Sequence, residues 1–139
     1  MKSTDEIIEL VFEGLAEDAA LRLSSQLLNR RILARSSNDR TLEEELPTLE
    51  ISKRVLIKRP HVRLLCYGDS IYDLEINFLV RDVEQTEPDS LTADLQSFAM
   101  KLSKPIGPVE FFAGLDPASD KDTRIFTGEK LGPLKLALG

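Results

Sequence analysis

Apolar side chains recur with the period of a helix in three parts of this sequence. The first, residues 7–15, follows the capping-box motif STDE, and Gly14 marks its end. The second, residues 16–35, begins with acidic and ends with basic side chains, the order that the helix dipole favours. The third, residues 91–102, has apolar positions at steps of four, three and four. The pattern predicts three amphipathic helices, the first two meeting at a bend near Gly14, and TLEEELP (41–47) predicts one further helical turn.

Between the second and third helices, apolar and polar side chains alternate as they do in half-buried strands. The alternation predicts three strands, over residues 49–58, 62–67 and 72–81, joined by turns at KRPH and GDS. Short connections favour an antiparallel meander. The run VEFFAG (109–114) predicts a later buried strand, and the tail LGPLKLALG a short final one. The predicted fold class is therefore α+β: a mainly antiparallel sheet, built from a β-meander plus one or two later strands, with helices packed on one face.

The length and composition favour a single domain over residues 1–139. No apolar run is long enough to span a membrane, and the N-terminus has neither the basic start nor the apolar core of a secretory signal. We therefore expect a cytoplasmic protein without a membrane partner. The formal net charge is −6, and residues 64–139 hold seven Lys or Arg against thirteen acids. Because nucleic-acid binding depends on neutralising phosphates, this balance disfavours a nucleic-acid partner and favours a basic protein.

Acidic side chains are concentrated in the third predicted strand, in the turn before it and in the loop after it. Two of them, Asp73 and Glu75, share the outward face of that strand, so together with their neighbours they form a negative surface that would orient a basic partner. The alternative is a solvated strand face that only keeps the protein soluble. A second acidic patch lies in GLDPASDKDTRIFTG (114–128). The candidate partner-binding residues are Asp69, Asp73, Glu75, Asp82, Glu84, Glu87, Asp89, Asp116, Asp120 and Asp122.

Residue types that carry metal or catalytic chemistry are scarce. The chain has one Cys and one His, whereas zinc sites use several of these ligands. Asp120 and Asp122 have the spacing of a calcium loop, but the central Gly and the terminal Glu of that motif are absent. Cys66 lies in an apolar run and is interpreted as a small buried hydrophobe. The sequence predicts no catalytic residue, no metal and no cofactor.

Turn chemistry accounts for much of the segment 114–128. Pro117 restricts its own backbone, and the side chains of Asp116 and Ser119 are suited to bonding nearby backbone N–H groups. We expect Arg124 to tie the segment down by pairing with Asp116 or Asp120. Whether the segment is held for packing or presented to a partner stays open at this point.

The chain resembles the small, single-domain immunity proteins of bacterial contact-dependent inhibition and polymorphic toxin systems. The resemblance rests on the acidic balance, on an α+β build without a catalytic signature, and on the segment FFAGLDPASDKDTRIFTG (111–128). It implies a non-catalytic protein that binds a cognate toxin, often a nuclease, by covering or distorting its active site. Acidic residues would contribute where the toxin is basic.

Two other classes of function stay open beside the resemblance. An acidic secretion chaperone of the type III kind has similar size and composition, and would dimerise through an exposed apolar helix face. The stripe that would form such a face is Leu91, Leu95, Phe98 and Leu102. A small enzyme without a recognisable motif is the third possibility. The oligomeric state is not predicted.

Overall fold

The residues described by the computed structural model are 6–28, 34–35, 41–67, 71–87 and 90–134. In these ranges the chain forms two α-helices, α1 (Glu17–Leu28) and α2 (Leu91–Ser103). The strands, in chain order, are β1 (Ile7–Ala16), β2 (Ala34–Arg35), β3 (Thr41–Glu45), β4 (Thr48–Glu50), β5 (Val55–Lys58), β6 (His61–Cys66), β7 (Ile71–Leu79), β8 (Val83–Gln85), β9 (Glu110–Leu115), β10 (Arg124–Thr127) and β11 (Lys130–Leu131).

The strands form two antiparallel sheets, which confirms the predicted α+β class. The larger sheet has the order β11–β10–β9–β1–β7–β6–β3–β2, and the smaller one has the order β4–β5–β8. Strand β1 is central, because it pairs with β7 on one side and with β9 on the other. Within the described part of the chain, no helix is long and apolar enough to cross a membrane.

The chain passes directly from a strand of one sheet to a strand of the other at three junctions, β3–β4, β5–β6 and β7–β8, and it returns from β8 to β9 through α2. The first two junctions lie side by side: Leu46 N donates to Pro60 O at 3.0 Å, and Arg59 N donates to Pro47 O at 3.0 Å. The third junction is a 3₁₀ turn, Val80–Asp82. We call these three junctions together the seam between the sheets. The seam forms one end of a groove on the larger sheet.

Both helices pack on the same side of the larger sheet, and the hydrophobic core lies between them and the strands. Phe12 of β1 and Leu74 of β7 are completely buried, as are Leu23 of α1 and Leu95 of α2. Leu91, Phe98 and Leu102 also belong to this core or pack against it. The apolar stripe of α2 is therefore core within this protein and is not the exposed face that the chaperone hypothesis required.

The prediction of a helix over residues 7–15 was wrong, since these residues form β1. Ile8 and Phe12 face the main core, while Val11 is buried on the opposite side with Phe112. A strand buried on both faces has apolar side chains at positions that also fit a helical period, and here β-branched residues and central pairing favour the strand. Gly14 has φ +69° and lies where the pairing of β1 with β7 shifts register, so it belongs to a bulge and not to a helix bend.

Two further predictions about local structure were wrong. Residues 41–45 are strand β3 and not a helical turn, because their pairing with β6 provides the backbone hydrogen bonds. Residues 49–58 form two strands, β4 and β5, joined by a tight turn in which Ile51 N and Ser52 N both donate to Val55 O. This hairpin belongs to the smaller sheet, so only β6 and β7 form the predicted meander in the larger one.

Most of the other predicted elements agree with the structure. Helices α1 and α2 and strands β6, β7 and β9 lie where the pattern places them. The final strand predicted for LGPLKLALG (131–139) does not appear in its described residues 132–134, since β11 (Lys130–Leu131) overlaps that stretch only at Leu131. Helix α1 is shorter than predicted, since its last residue is Leu28. The capping motif before residue 6, the GDS turn and residues 135–139 lie outside the described residues.

Candidate functional site

One side of the larger sheet carries polar side chains instead of helices. Because strand side chains alternate, the residues that lie between the core positions of β1, β7, β6 and β3 all project to this side. Among the described residues, no helix packs against it. We call this side the polar face, and its members are Glu9, Glu43, Glu45, His61, Arg63, Asp73, Glu75 and Asn77.

Cross-strand pairs connect the middle of the polar face. Arg63 lies opposite both Glu75 and Glu43, with Nη1 at 3.5 Å from Glu75 Oε1 and Nε at 3.8 Å from Glu43 Oε2. The His61 Nε2 atom lies 3.2 Å from Glu45 Oε1. Asn77 Nδ2 donates to Glu75 Oε1 at 3.3 Å. The Arg63 contacts are long for charge-assisted hydrogen bonds, so this guanidinium is held by a loose network.

Burial makes the centre of this network unfavourable for the free protein. The side chain of Glu75 is only 15% exposed. Burial raises the pKa of the Glu75 carboxyl above its ordinary value of 4.5; the charges of Glu9 and Asp73 act in the same direction, against the contacts with Asn77 and Arg63. In addition, Arg63 Nε and Asn77 Oδ1 are buried atoms without a hydrogen-bond partner among the described residues. A buried polar atom without a partner costs stability.

We expect Glu75→Gln to stabilise the protein at pH 7. A raised folded-state pKa means that the ionised carboxylate is penalised by folding, so wild-type stability falls as the pH rises through that pKa. The neutral amide avoids this penalty, and the advantage should disappear below pH 4.5, where the carboxyl is protonated in both states. Thermal unfolding at pH 4 and pH 7 measures the difference, with Glu45→Gln on the exposed part of the same face as the control. A Glu75→Gln protein less stable than wild type at pH 7 would contradict this account.

A groove of about 470 Å³ opens along the polar face towards the seam between the sheets. One wall carries the carboxylates of β3, and the far end carries arginines from the seam. Two apolar side chains, Ile7 and Leu79, also line the groove. The lining residues are Ile7, Glu43, Glu45, Arg59, His61, Arg63, Asn77, Phe78, Leu79, Arg81 and Asp82.

Arg59 at the end of the groove has an unusual backbone. Its φ is 54°, in the left-handed region, which costs a residue with a side chain about 1 kcal/mol. Its Nη2 atom lies 3.1 Å from Asp82 Oδ1, and the side chains are 63% and 10% exposed respectively. Arg59 is therefore the solvent-facing member of an ion pair whose carboxylate is buried.

The predicted acidic residues lie in several places. Asp73 and Glu75 lie on the polar face, as their alternation predicts, and Asp73 Oδ1 accepts a hydrogen bond from Gly14 N at 3.0 Å. Asp82 lies in the seam and is paired with Arg59. The structure thus brings Asp73 and Glu75 together on one surface, and Asp82 to the end of the groove beside it.

Two acids of the predicted set belong to the smaller sheet and its neighbourhood. Glu84 lies 2.7 Å from Lys58 Nζ, and Glu87 lies 2.8 Å from Arg54 Nη1. Both carboxylates are exposed. The remaining two acids of this part of the chain, Asp69 and Asp89, lie outside the described residues.

The segment after β9 is fastened against the edge of the polar face. Ala118 is completely buried, and its N–H donates to Glu9 Oε1 at 2.8 Å. The Arg124 side chain lies over the Phe112 ring at 3.9 Å, and its Nε donates to Ala118 O at 2.9 Å. The expected pairing of Arg124 with an aspartate was therefore wrong, because the backbone carbonyl and the ring take its place. A Cβ at Gly114 would lie 2.4 Å from Thr123 O, so this glycine permits the close approach.

The aspartates of this segment are on its surface. Asp120 Oδ1 accepts from Asp122 N at 3.0 Å and so caps a short 3₁₀ turn. Asp116 follows β9 and is exposed, as are Asp120 and Asp122. The segment is fastened through its middle, while these three carboxylates stay accessible.

The sequence interpretation missed most of the polar face, since only Asp73 and Glu75 were predicted site residues. Glu43 and Glu45 were assigned to a helical turn, although the strand period of TLEEE would have placed both on one face. His61 and Arg63 alternate with the core residues Val62 and Leu64, a signal that was available but was not used. The position of Arg59 depends on the meeting of two sheets, and no local pattern indicates it.

Two comparisons with known proteins each give a match, one to a family profile and one to a solved structure. The profile of the PABL017 Cdi1I immunity protein family matches residues 26–131. A chain in the crystal structure of the toxic C-terminal tip of CdiA from Pseudomonas aeruginosa, in complex with immune protein, matches with a TM-score of 0.72 and 20% identity, over 93% of this chain and 98% of that chain. At this identity the second match shows a shared fold. Among curated proteins, no sequence matches this chain.

Proposed function

This chain belongs to the PABL017 Cdi1I immunity protein family, and we propose that its polar face is the surface that binds the cognate toxin. An immunity protein neutralises its toxin by binding and not by catalysis. The single observation that carries the assignment is the half-buried Glu75 carboxylate, surrounded by Arg63 and Asn77 with buried atoms that lack partners. Folding alone does not favour such a group, whereas a partner that supplies the missing interactions does.

The charge of the polar face favours a basic partner. The face carries five carboxylates against one guanidinium and one imidazole among the described residues. Opposite charges across an interface increase the association rate and fix the orientation of the partners, and the same negative field repels nucleic acid. The partner that this supports is a basic surface of a toxin domain, bound in the cytoplasm.

Different acids are proposed to contribute in different ways. Asp73 and Glu75 would contact the toxin, and Asp69 precedes β7 in the same part of the chain. The acids nearer the smaller sheet would act mainly through their long-range field, because their described members are already paired with cations. Those residues are Asp82, Glu84 and Glu87; for Asp89, which follows them in sequence, the same kind of contribution is proposed. A rim contact on the β9 side is proposed for Asp116, Asp120 and Asp122.

Mixing the purified protein with its cognate toxin domain tests the proposal. We expect a 1:1 or higher-order complex by size exclusion, loss of the toxin's activity, and an association rate that falls about tenfold or more between 50 and 500 mM salt. Hydrogen exchange of the complex should show new protection on β3, β6 and β7. Protection confined to the helices, with no change on these strands, would contradict the assignment of the polar face.

A further inference from the structure

Positively charged side chains line the end of the groove, whereas negatively charged side chains line its wall. Arg59 and Arg81 line the end near the seam, whereas Glu43 and Glu45 line the wall formed by β3. Arg59 lies two residues before His61, the first residue of β6, and His61 pairs with Glu45 of the wall, so the cationic end adjoins the acidic wall. The groove is therefore polarised along its length and is not uniformly acidic.

Arg59 has donor capacity directed at this groove. A guanidinium carries five N–H donors in a planar fork, and the contact with Asp82 is made by Nη2. The side chain is 63% exposed while the Asp82 carboxylate behind it is buried, so the fork extends from a fixed anchor into the groove. The left-handed backbone of Arg59 would suit Gly or Asn better, so an arginine side chain at this position carries a conformational cost.

We propose that Arg59 is a toxin-binding residue that receives a carboxylate of the toxin, while Glu43 and Glu45 receive its cationic groups. This inference rests on the proposed function of the polar face. A carboxylate fits because arginine binds it through two parallel hydrogen bonds. The acids that flank the groove disfavour a polyanion such as RNA. Opposite charges at the two parts of the groove would fix the orientation of the toxin and reject toxins without the matching pattern.

A purely structural role for Arg59 gives a different expectation. If Arg59 serves only to neutralise Asp82, then Arg59→Asn and Asp82→Asn break the same ion pair and should affect toxin binding equally. If Arg59 binds the toxin, its own replacement should weaken binding far more than Asp82→Asn does, because Asp82→Asn removes the anchor but leaves the guanidinium in the groove. Asn is chosen at both positions because it tolerates the left-handed backbone and resembles aspartate in shape.

The test is the dissociation constant for the cognate toxin domain, measured by calorimetry for wild type, Arg59→Asn, Asp82→Asn and Lys58→Gln. Lys58 is the neighbouring residue and pairs with Glu84 on the smaller sheet, so it controls for loss of one positive charge. We expect Arg59→Asn to weaken binding about tenfold or more, Asp82→Asn to weaken it clearly less than Arg59→Asn does, and Lys58→Gln to stay within about threefold of wild type. Equal weakening by Arg59→Asn and Asp82→Asn, or no weakening by Arg59→Asn, would overturn the inference.

Two further measurements distinguish a failure of this inference from a failure of folding or of the proposed function. If Arg59→Asn does not fold, Arg59→Lys preserves the charge beside Asp82 but loses the planar fork, and we expect it to bind at least about threefold more weakly; unchanged affinity would again overturn the inference. A wild-type protein that fails to bind the toxin would instead refute the proposed function. Thermal unfolding of Arg59→Asn and Asp82→Asn measures the stability that each variant loses when the shared ion pair is broken. If both lose stability but Arg59→Asn loses much more affinity, the broken ion pair cannot be the cause of the weaker binding.

Discussion

Replacing both Glu43 and Glu45 with lysine is expected to weaken binding of the cognate toxin by about 100-fold or more. Each change removes an attraction for a basic partner and adds a repulsion in the groove wall. The fold should tolerate them, because the two carboxylates are 47% and 55% exposed and their pairs with Arg63 and His61 contribute little to stability. The loss should appear mainly as faster dissociation, with a smaller decrease in the association rate.

Surface plasmon resonance at fixed ionic strength measures both rates. The matched control is Glu50→Lys with Glu129→Lys, which makes the same change in net charge on β4 and on the turn before β11, where both carboxylates are exposed. The control should stay within about threefold of wild type in affinity. If both double variants lose affinity equally, the toxin responds to net charge and not to the polar face.

The largest effect on stability is expected from Asp94→Ala. The Asp94 carboxylate joins α2 to the turn before β5: it accepts from Arg54 Nε at 3.0 Å, from Arg54 Nη2 at 2.5 Å and from Ser52 Oγ at 2.7 Å. The Asp94 side chain is 11% exposed and that of Arg54 is 42% exposed, so removing the carboxylate leaves three donors without their acceptor at a partly exposed place. We expect unfolding to become easier by about 1–3 kcal/mol, measured by urea denaturation at pH 7. Glu87→Ala, which removes the exposed partner of Arg54, should cost less than about 1 kcal/mol.

The same carboxylate predicts a dependence of stability on pH. Hydrogen bonds from Arg54 and then from Ser52 lower the pKa of Asp94 below its ordinary value of 3.8. Its stabilising contribution is therefore complete above that value and is lost as the pH falls through the lower pKa of the folded state. The gap in unfolding free energy between wild type and Asp94→Asn should narrow as the pH falls below 3.8. A gap that does not change with pH would mean that the contribution of Asp94 does not depend on its charge.

The class of fold could be predicted from the sequence, but the arrangement of strands could not. Strand β7 was predicted because only one of its faces is buried, so its side chains alternate clearly. The pattern of strand β1 predicts a helix because Val11 is buried on the face opposite to Ile8 and Phe12, and burial on both faces removes that alternation. The resemblance to contact-dependent inhibition immunity proteins is confirmed by the family match. It was carried by overall character and by the segment after β9, and not by any residue of the polar face.

The site could be predicted only in part, for a related reason. Asp73 and Glu75 follow from the alternation of one strand, but their neighbours come from β3 and β6, which are distant in sequence. The groove depends on Arg59 and Asp82, which meet where the chain passes between two sheets. Such contacts are set by tertiary packing, and no local periodicity reports them.

The central position of β1 has a consequence for the order of events during synthesis. Its two neighbours, β7 and β9, lie about 60 and 100 residues later in the chain than β1 and are translated after it. Contacts so distant in sequence are slow to form. The polar face therefore cannot form until β7 has been translated, about 60 residues after β1, and a nascent fragment that lacks β7 would not present it.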